Sequence, residues 1–94
     1  MAGVQAVTYE ELLALSHRLR GTTLQTVTGT EFAVDVYLEC PFFIPASTGR
    51  GRSDGRKAAE RFLERYNRIG SHRPADYADL TRNASYFVAL LEHR

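Results

Sequence analysis

The chain has 94 residues, 44% of them hydrophobic and 24% charged, with five tyrosines and five phenylalanines. That length suits one domain spanning residues 1–94 and excludes two, and the composition lies far from that of chains that stay disordered. The net charge of +1 is unevenly spread: residues 1–49 hold two basic and five acidic side chains, residues 50–94 ten basic and six acidic, so a near-neutral total conceals a polar molecule.

Met1 to Val7 shows neither a basic leader nor an apolar signal core, and the longest apolar run, Tyr86 to Leu91, is too short to span a bilayer. A single cysteine, Cys40, allows no internal disulfide and no paired-thiol redox or zinc motif. A cytoplasmic protein without membrane contact is expected, and the sequon Asn83-Ala84-Ser85 then carries no glycan.

Thr8-Tyr9-Glu10-Glu11 reads as a capping box, with Val7 and Leu12 placed as a hydrophobic staple. Leu12, Leu15 and Leu19 recur at helical spacing, and Arg18, Arg20 and Gly21 supply a basic, glycine-closed end, which predicts a helix over Tyr9–Arg20. The period then changes. Thr22 to Thr28 is rich in β-branched residues, Gly29 suits a tight turn, and Phe32, Val34, Val36 and Leu38 alternate with polar or small neighbours, predicting an antiparallel hairpin whose apolar face meets the helices. Cys40-Pro41 is expected to turn the chain into a third strand around Phe42-Phe43-Ile44, placed at a sheet edge by Pro45.

Thr48 to Gly55 reads as a loop. In the helix after it, Ala58, Ala59, Phe62, Leu63, Tyr66 and Ile69 share one face; Lys57, Arg61, Arg65 and Arg68 form an adjoining basic stripe; Glu60 and Glu64 lie beyond, and Gly70 closes the element. Pro74 opens a short helical turn through Leu80. Thr81 or Asn83 caps a last helix in which Tyr86, Phe87, Leu90 and Leu91 face the core. The expected fold is α+β, ordered α-β-β-β-α-α, with a three-stranded antiparallel sheet packed on helices.

The segment from Arg50 to Arg73 carries eight basic and three acidic side chains, a balance of +5. Its glycines fit no nucleotide motif: Asp54 stands where the third glycine of GxGxxG belongs, and Gly55-Arg56-Lys57 is not the Gly-Lys-Ser/Thr of a P-loop. Arg50-Gly51-Arg52 is similar to the core of AT-hook minor-groove peptides but lacks their flanking prolines. Guanidinium forks at Arg50, Arg52 and Arg56, beside the positive end of a helix, suit phosphate. Lys57, Arg61, Arg65 and Arg68 prolong the patch by about 16 Å along the helix. These seven residues are the candidate contacts to a DNA or RNA backbone. The counter-reading is a solvated face kept soluble by the i,i+4 pairs Arg56–Glu60 and Glu64–Arg68.

The opposite sheet face is expected to show Asp35, Tyr37 and Glu39 with one of Phe42 or Phe43. Its carboxylates repel phosphate, so Tyr37 and Phe43 are instead the candidate contacts to a protein partner or a second copy. No catalytic or metal residue and no cofactor is assigned. His17, His72 and His93 share no ligand spacing, Cys40 has no neighbouring base, Ser47 and Ser53 lack a nucleophile elbow, and Asp35 with Glu39 lacks the Glu-x-Lys of a nuclease site. A non-enzymatic binding module is the expectation.

Overall fold

In the computed structural model, which describes residues 6–94, the first helix starts as its capping residues dictate; Met1 to Gln5, read above for a leader, lie outside the described residues. Helix α1 spans Tyr9–Arg18. The Thr8 hydroxyl accepts from the Glu11 amide at 3.1 Å, and the staple residues Val7 and Leu12 are both buried. The helix ends two residues short of the predicted limit, with Leu19 as its cap and Gly21 in the left-handed region at φ 83°.

Three antiparallel strands follow, β1 (Thr23–Gln25), β2 (Glu31–Tyr37) and β3 (Cys40–Pro45), ordered β1-β2-β3. Strand β1 is shorter than the Thr22–Thr28 run. The Thr26 hydroxyl leaves the ladder to accept from the Thr30 amide at 3.1 Å, closing a turn in which Gly29 takes φ 87°.

The β2–β3 turn falls at Leu38-Glu39 rather than at Cys40-Pro41. Tyr37 pairs with Cys40 and Val36 with Pro41, so Cys40 and Pro41 belong to the strand, and the two linking residues take φ 51° and 59°, the pattern of a type I′ hairpin. Leu38, expected against the helices, is 79% exposed at the tip. This register suits the prolines. Pro41, Phe43 and Pro45 direct their nitrogens away from β2, so neither proline removes a ladder bond. Phe43 uses that outer edge: its amide and carbonyl exchange bonds of 2.9 and 2.7 Å with Arg52, and the loop after β3 thereby covers the sheet edge. Beside this bridge the Phe42 ring lies directly on Gly51, where a Cβ would fall 1.8 Å from Cζ.

Helix α2 (Gly55–Ile69) ends at Gly70, in the left-handed region at φ 64°, as its glycine predicts. Ile69, expected on the buried face, is 49% exposed; Tyr66 is the last core residue before that cap turns the chain away. A 3-10 turn at Pro74–Tyr77 leads to helix α3 (Ala84–Leu91). Helix α3 is buried at every position from Tyr86 to Leu91. Its aromatic rings join the sheet to α2: Tyr86 lies 4.8 Å from Phe32, Phe87 lies 5.2 Å from Phe43 and 5.0 Å from Phe62, and Tyr77 closes on Phe62 at 4.4 Å. Asn67 of α2 clamps the chain before α1, accepting from the Val7 amide at 2.7 Å and donating to its carbonyl at 3.0 Å. The protein is thus a small α+β domain of three helices and a three-stranded antiparallel sheet. No helix among the described residues is long and apolar enough to cross a membrane.

Candidate functional site

The seven basic residues singled out by their charge occupy three different environments. Arg56, in the first turn of α2, reaches back toward α1: its guanidinium meets Glu60 at 3.1 Å and Glu10 at 3.5 Å and lies 4.5 Å from the centre of the Tyr9 ring. Arg65 is the member of the basic stripe nearest the apolar face. It holds Asp79 with two bonds, of 2.6 and 3.1 Å, and donates to the Asp76 carbonyl at 3.0 Å. The hydrogen bond to Asp79 raises the Arg65 pKa and, reciprocally, holds the Asp79 carboxyl below its ordinary value. Both arginines stitch elements together.

Arg50, Lys57, Arg61 and Arg68 are exposed and form no ion pair with any described residue. Lys57 and Arg61 share a shallow groove with Glu60 and Glu64, so carboxylates interrupt the stripe along the helix. Arg52 is half-buried, its backbone held in the bridge to Phe43 and its guanidinium 5.8 Å from the Tyr86 ring centre. Arg50-Gly51-Arg52 is therefore not a free hook, because its third residue is part of the sheet edge.

Beside Arg52 opens a polar cleft of about 510 Å³ between residues 51–54 and 78–83, the segments that lead into α2 and α3. Arg82, absent from the residues chosen by sequence, is exposed on its rim, and Asp54, Asp79, Thr81 and Asn83 also line it. The Thr81 hydroxyl donates to the Asp54 carboxylate and accepts from the Asn83 amide at 3.0 Å. Neither α2 nor α3 has an acidic residue in its first turn, whereas α1 has Glu10 and Glu11. In α2 the first turn is instead basic, with Arg56 and Lys57 at the positive end of the helix dipole, the unfavourable end for a cation. The one local signal of this cleft was Thr81-Arg82-Asn83 ahead of an apolar run, which reads equally well as a helix cap.

The aromatic face differs from expectation at one position. Phe43 is 0% exposed, because odd-numbered residues of β3 point into the core with Pro41 and Pro45, so it cannot meet a partner. Phe42 takes the outer face, 5.5 Å from the Tyr37 ring, and Tyr37 is 59% exposed. Asp35, on the same face, accepts from the Val36 amide and from Arg20, both at 2.7 Å, and these bonds lower its pKa, the amide contributing most. No cluster of three histidine, cysteine or acidic side chains suited to a metal exists among the described residues. Compared with family models, curated proteins and solved structures, the chain matches none.

Proposed function

We propose that this protein is a small nucleic-acid-binding or nucleic-acid-associated accessory protein that contacts phosphates of DNA or RNA. The observation that supports this reading is the set of cations without an ion pair, Arg50, Arg52, Lys57, Arg61, Arg68 and Arg82, carried by the loop, α2 and the approach to α3. Arg56 and Arg65 from the original seven act through the fold, orienting α1 and the 78–83 segment. The lone thiol of Cys40 accords with a reducing, cytoplasmic setting.

Fluorescence anisotropy with labelled duplex and single-stranded oligonucleotides across a salt series tests the proposal. With four to six phosphates neutralised on a duplex, log K against log salt falls with a slope of about −4 to −5. Arg52→Glu with Arg61→Glu abolishes binding, and wild-type protein that binds neither DNA nor RNA at low salt overturns the reading.

A second reading has its own observation. Tyr37 and Leu38 are exposed beside Phe42 at a hairpin tip, the kind of aromatic and aliphatic cluster that docks on a protein. Under this reading Tyr37→Ala loses a partner captured from nuclease-treated lysate, and capture that disappears with nuclease treatment excludes it.

A further inference from the structure

We infer that the cleft between residues 51–54 and 78–83 is a nucleotide-recognition site, holding one phosphodiester between Arg52 and Arg82 and one hydrogen-bond donor of the same nucleotide on Oδ1 of Asn83. The inference rests on the nucleic-acid reading and deepens it: the ligand is a nucleotide within a single strand, or one turned out of a duplex, because a paired nucleotide cannot enter a cleft.

Asn83 carries the argument. It is 1% exposed, it lines the cleft, and its Oδ1 is buried with no hydrogen-bond partner. Buried amide oxygens in native proteins are nearly always satisfied, and an exception calls for a partner. Asn83 occupies the cap position of α3, yet its backbone, at φ −100° and ψ 20°, lacks the extended cap geometry and its side chain makes no capping bond. The fold makes no use of that oxygen. An acceptor requires a donor, so an inorganic anion alone does not complete the site, whereas a sugar hydroxyl or an exocyclic base amine does.

Charge selects the rest of the ligand. The cleft contains Asp54 and Asp79 as well as Arg52 and Arg82, and Asp79 is already matched by Arg65. Asp54 offsets one of the remaining two arginines, leaving a surplus of about one positive charge before the helix ends are counted. That surplus matches the single charge of an internal phosphodiester better than the double charge of a terminal phosphate. The amides of Ala84 and Ser85, among the first of α3, lack intrahelical acceptors by position and face the same entrance.

The test compares Asn83→Leu, Arg82→Ala and wild type for binding to labelled oligomers of rA, dA, rU and dT, with thermal denaturation of each variant. Removing an unused buried acceptor leaves the melting temperature unchanged or raised, while affinity for the preferred oligomer falls about tenfold. The exposed Arg82 loses a similar factor on truncation without loss of stability. A preference for ribo- over deoxy-oligomers assigns the donor to the sugar; a preference for A over U and T assigns it to the base amine. Shift changes at the Asn83 side-chain amide and the Ala84 and Ser85 amides during titration with the oligomer are expected in the wild type. A destabilised Asn83→Leu variant that binds normally, or oligomer binding that leaves those resonances and the Arg82→Ala affinity unaltered, overturns the site while the broader nucleic-acid reading stands. Wild-type protein that binds no oligomer overturns both.

Discussion

Gly51 offers the strongest single test of how the basic loop is built. A Cβ there falls 1.8 and 1.9 Å from two atoms of the Phe42 ring, so Gly51→Ala forces that ring off its site. Phe42 is half-buried and can swing outward, which costs its contact with Tyr37, worth about 0.5–1.5 kcal/mol. Re-exposing roughly 40 Å² of ring surface costs about 1 kcal/mol more. Reduced freedom of the unfolded chain returns about 0.4–1 kcal/mol. The net expectation is a destabilisation of about 1–2 kcal/mol, measured by urea denaturation with an unchanged m-value. In a Phe42→Ala background there is no ring to displace, and the same Gly51→Ala change becomes neutral or slightly stabilising. A double-mutant cycle thus yields a coupling of about 1–2 kcal/mol. An equal cost in both backgrounds refutes the ring contact as the reason for glycine.

Replacing Leu38-Glu39 by Asn-Gly removes two ordinary residues from the left-handed region; a gain of about 1–2 kcal/mol is expected, seen as a rise in melting temperature of roughly 5–10 °C. Asn67→Ala breaks both bonds to Val7 and lowers stability by about 1–3 kcal/mol in the same assay, with amide exchange fastest at the start of α1. Arg65→Ala releases Asp79 and the Asp76 carbonyl; it lowers the melting temperature while leaving the salt slope of oligonucleotide binding unchanged, the reverse of Arg61→Ala. Burial raises the pKa of both Tyr9 and Tyr77, so the folded state holds those protons more tightly than the unfolded chain. Their stabilising contribution is complete below about pH 10 and is lost as the pH rises above it. Alkaline unfolding should therefore shift to higher pH in Tyr9→Phe, followed by tyrosinate absorbance together with circular dichroism.

Local signals were legible where the physics is local. Thr8 capped α1, Gly29 and Gly70 took positive φ, and the alternation of Phe32 and Val34 placed their side chains in the core. The β2–β3 turn was misplaced because Leu38-Glu39 carries no turn chemistry of its own; register is set instead by core burial of Pro41, Phe43 and Pro45 and by the Tyr37–Cys40 pair. The same two-residue displacement of the turn left the inward member of the Phe42-Phe43 pair undecided. Within the basic segment, a count of charges treats Arg61 and Arg65 alike. Only the Asp79 carboxylate, fourteen residues further along, separates a cation open to a ligand from one closing a contact. Asn83 was legible as a helix cap and illegible as an unpaired buried acceptor, since satisfaction of a side chain is a property of the packed chain.

The glycines and arginines of residues 49–52 therefore answer to different demands. A glycine at 51 is required by the Phe42 ring, and one at 49 by a turn with φ 65°, so neither argues for a backbone cradle around phosphate. Both serve to bring Arg52 onto the outer edge of β3, where its two backbone bonds to Phe43 fix the Cα and the Tyr86 ring lies beneath the guanidinium. An arginine held in this way loses less conformational freedom on meeting a phosphate than one on a mobile loop. The sheet edge is protected from pairing with other chains by the same two bonds. Arg50, two residues earlier, has no such anchorage, and its contribution to binding should come from charge alone. Truncating Arg52 then lowers affinity at high salt as well as low, whereas the loss on truncating Arg50 fades as salt is added.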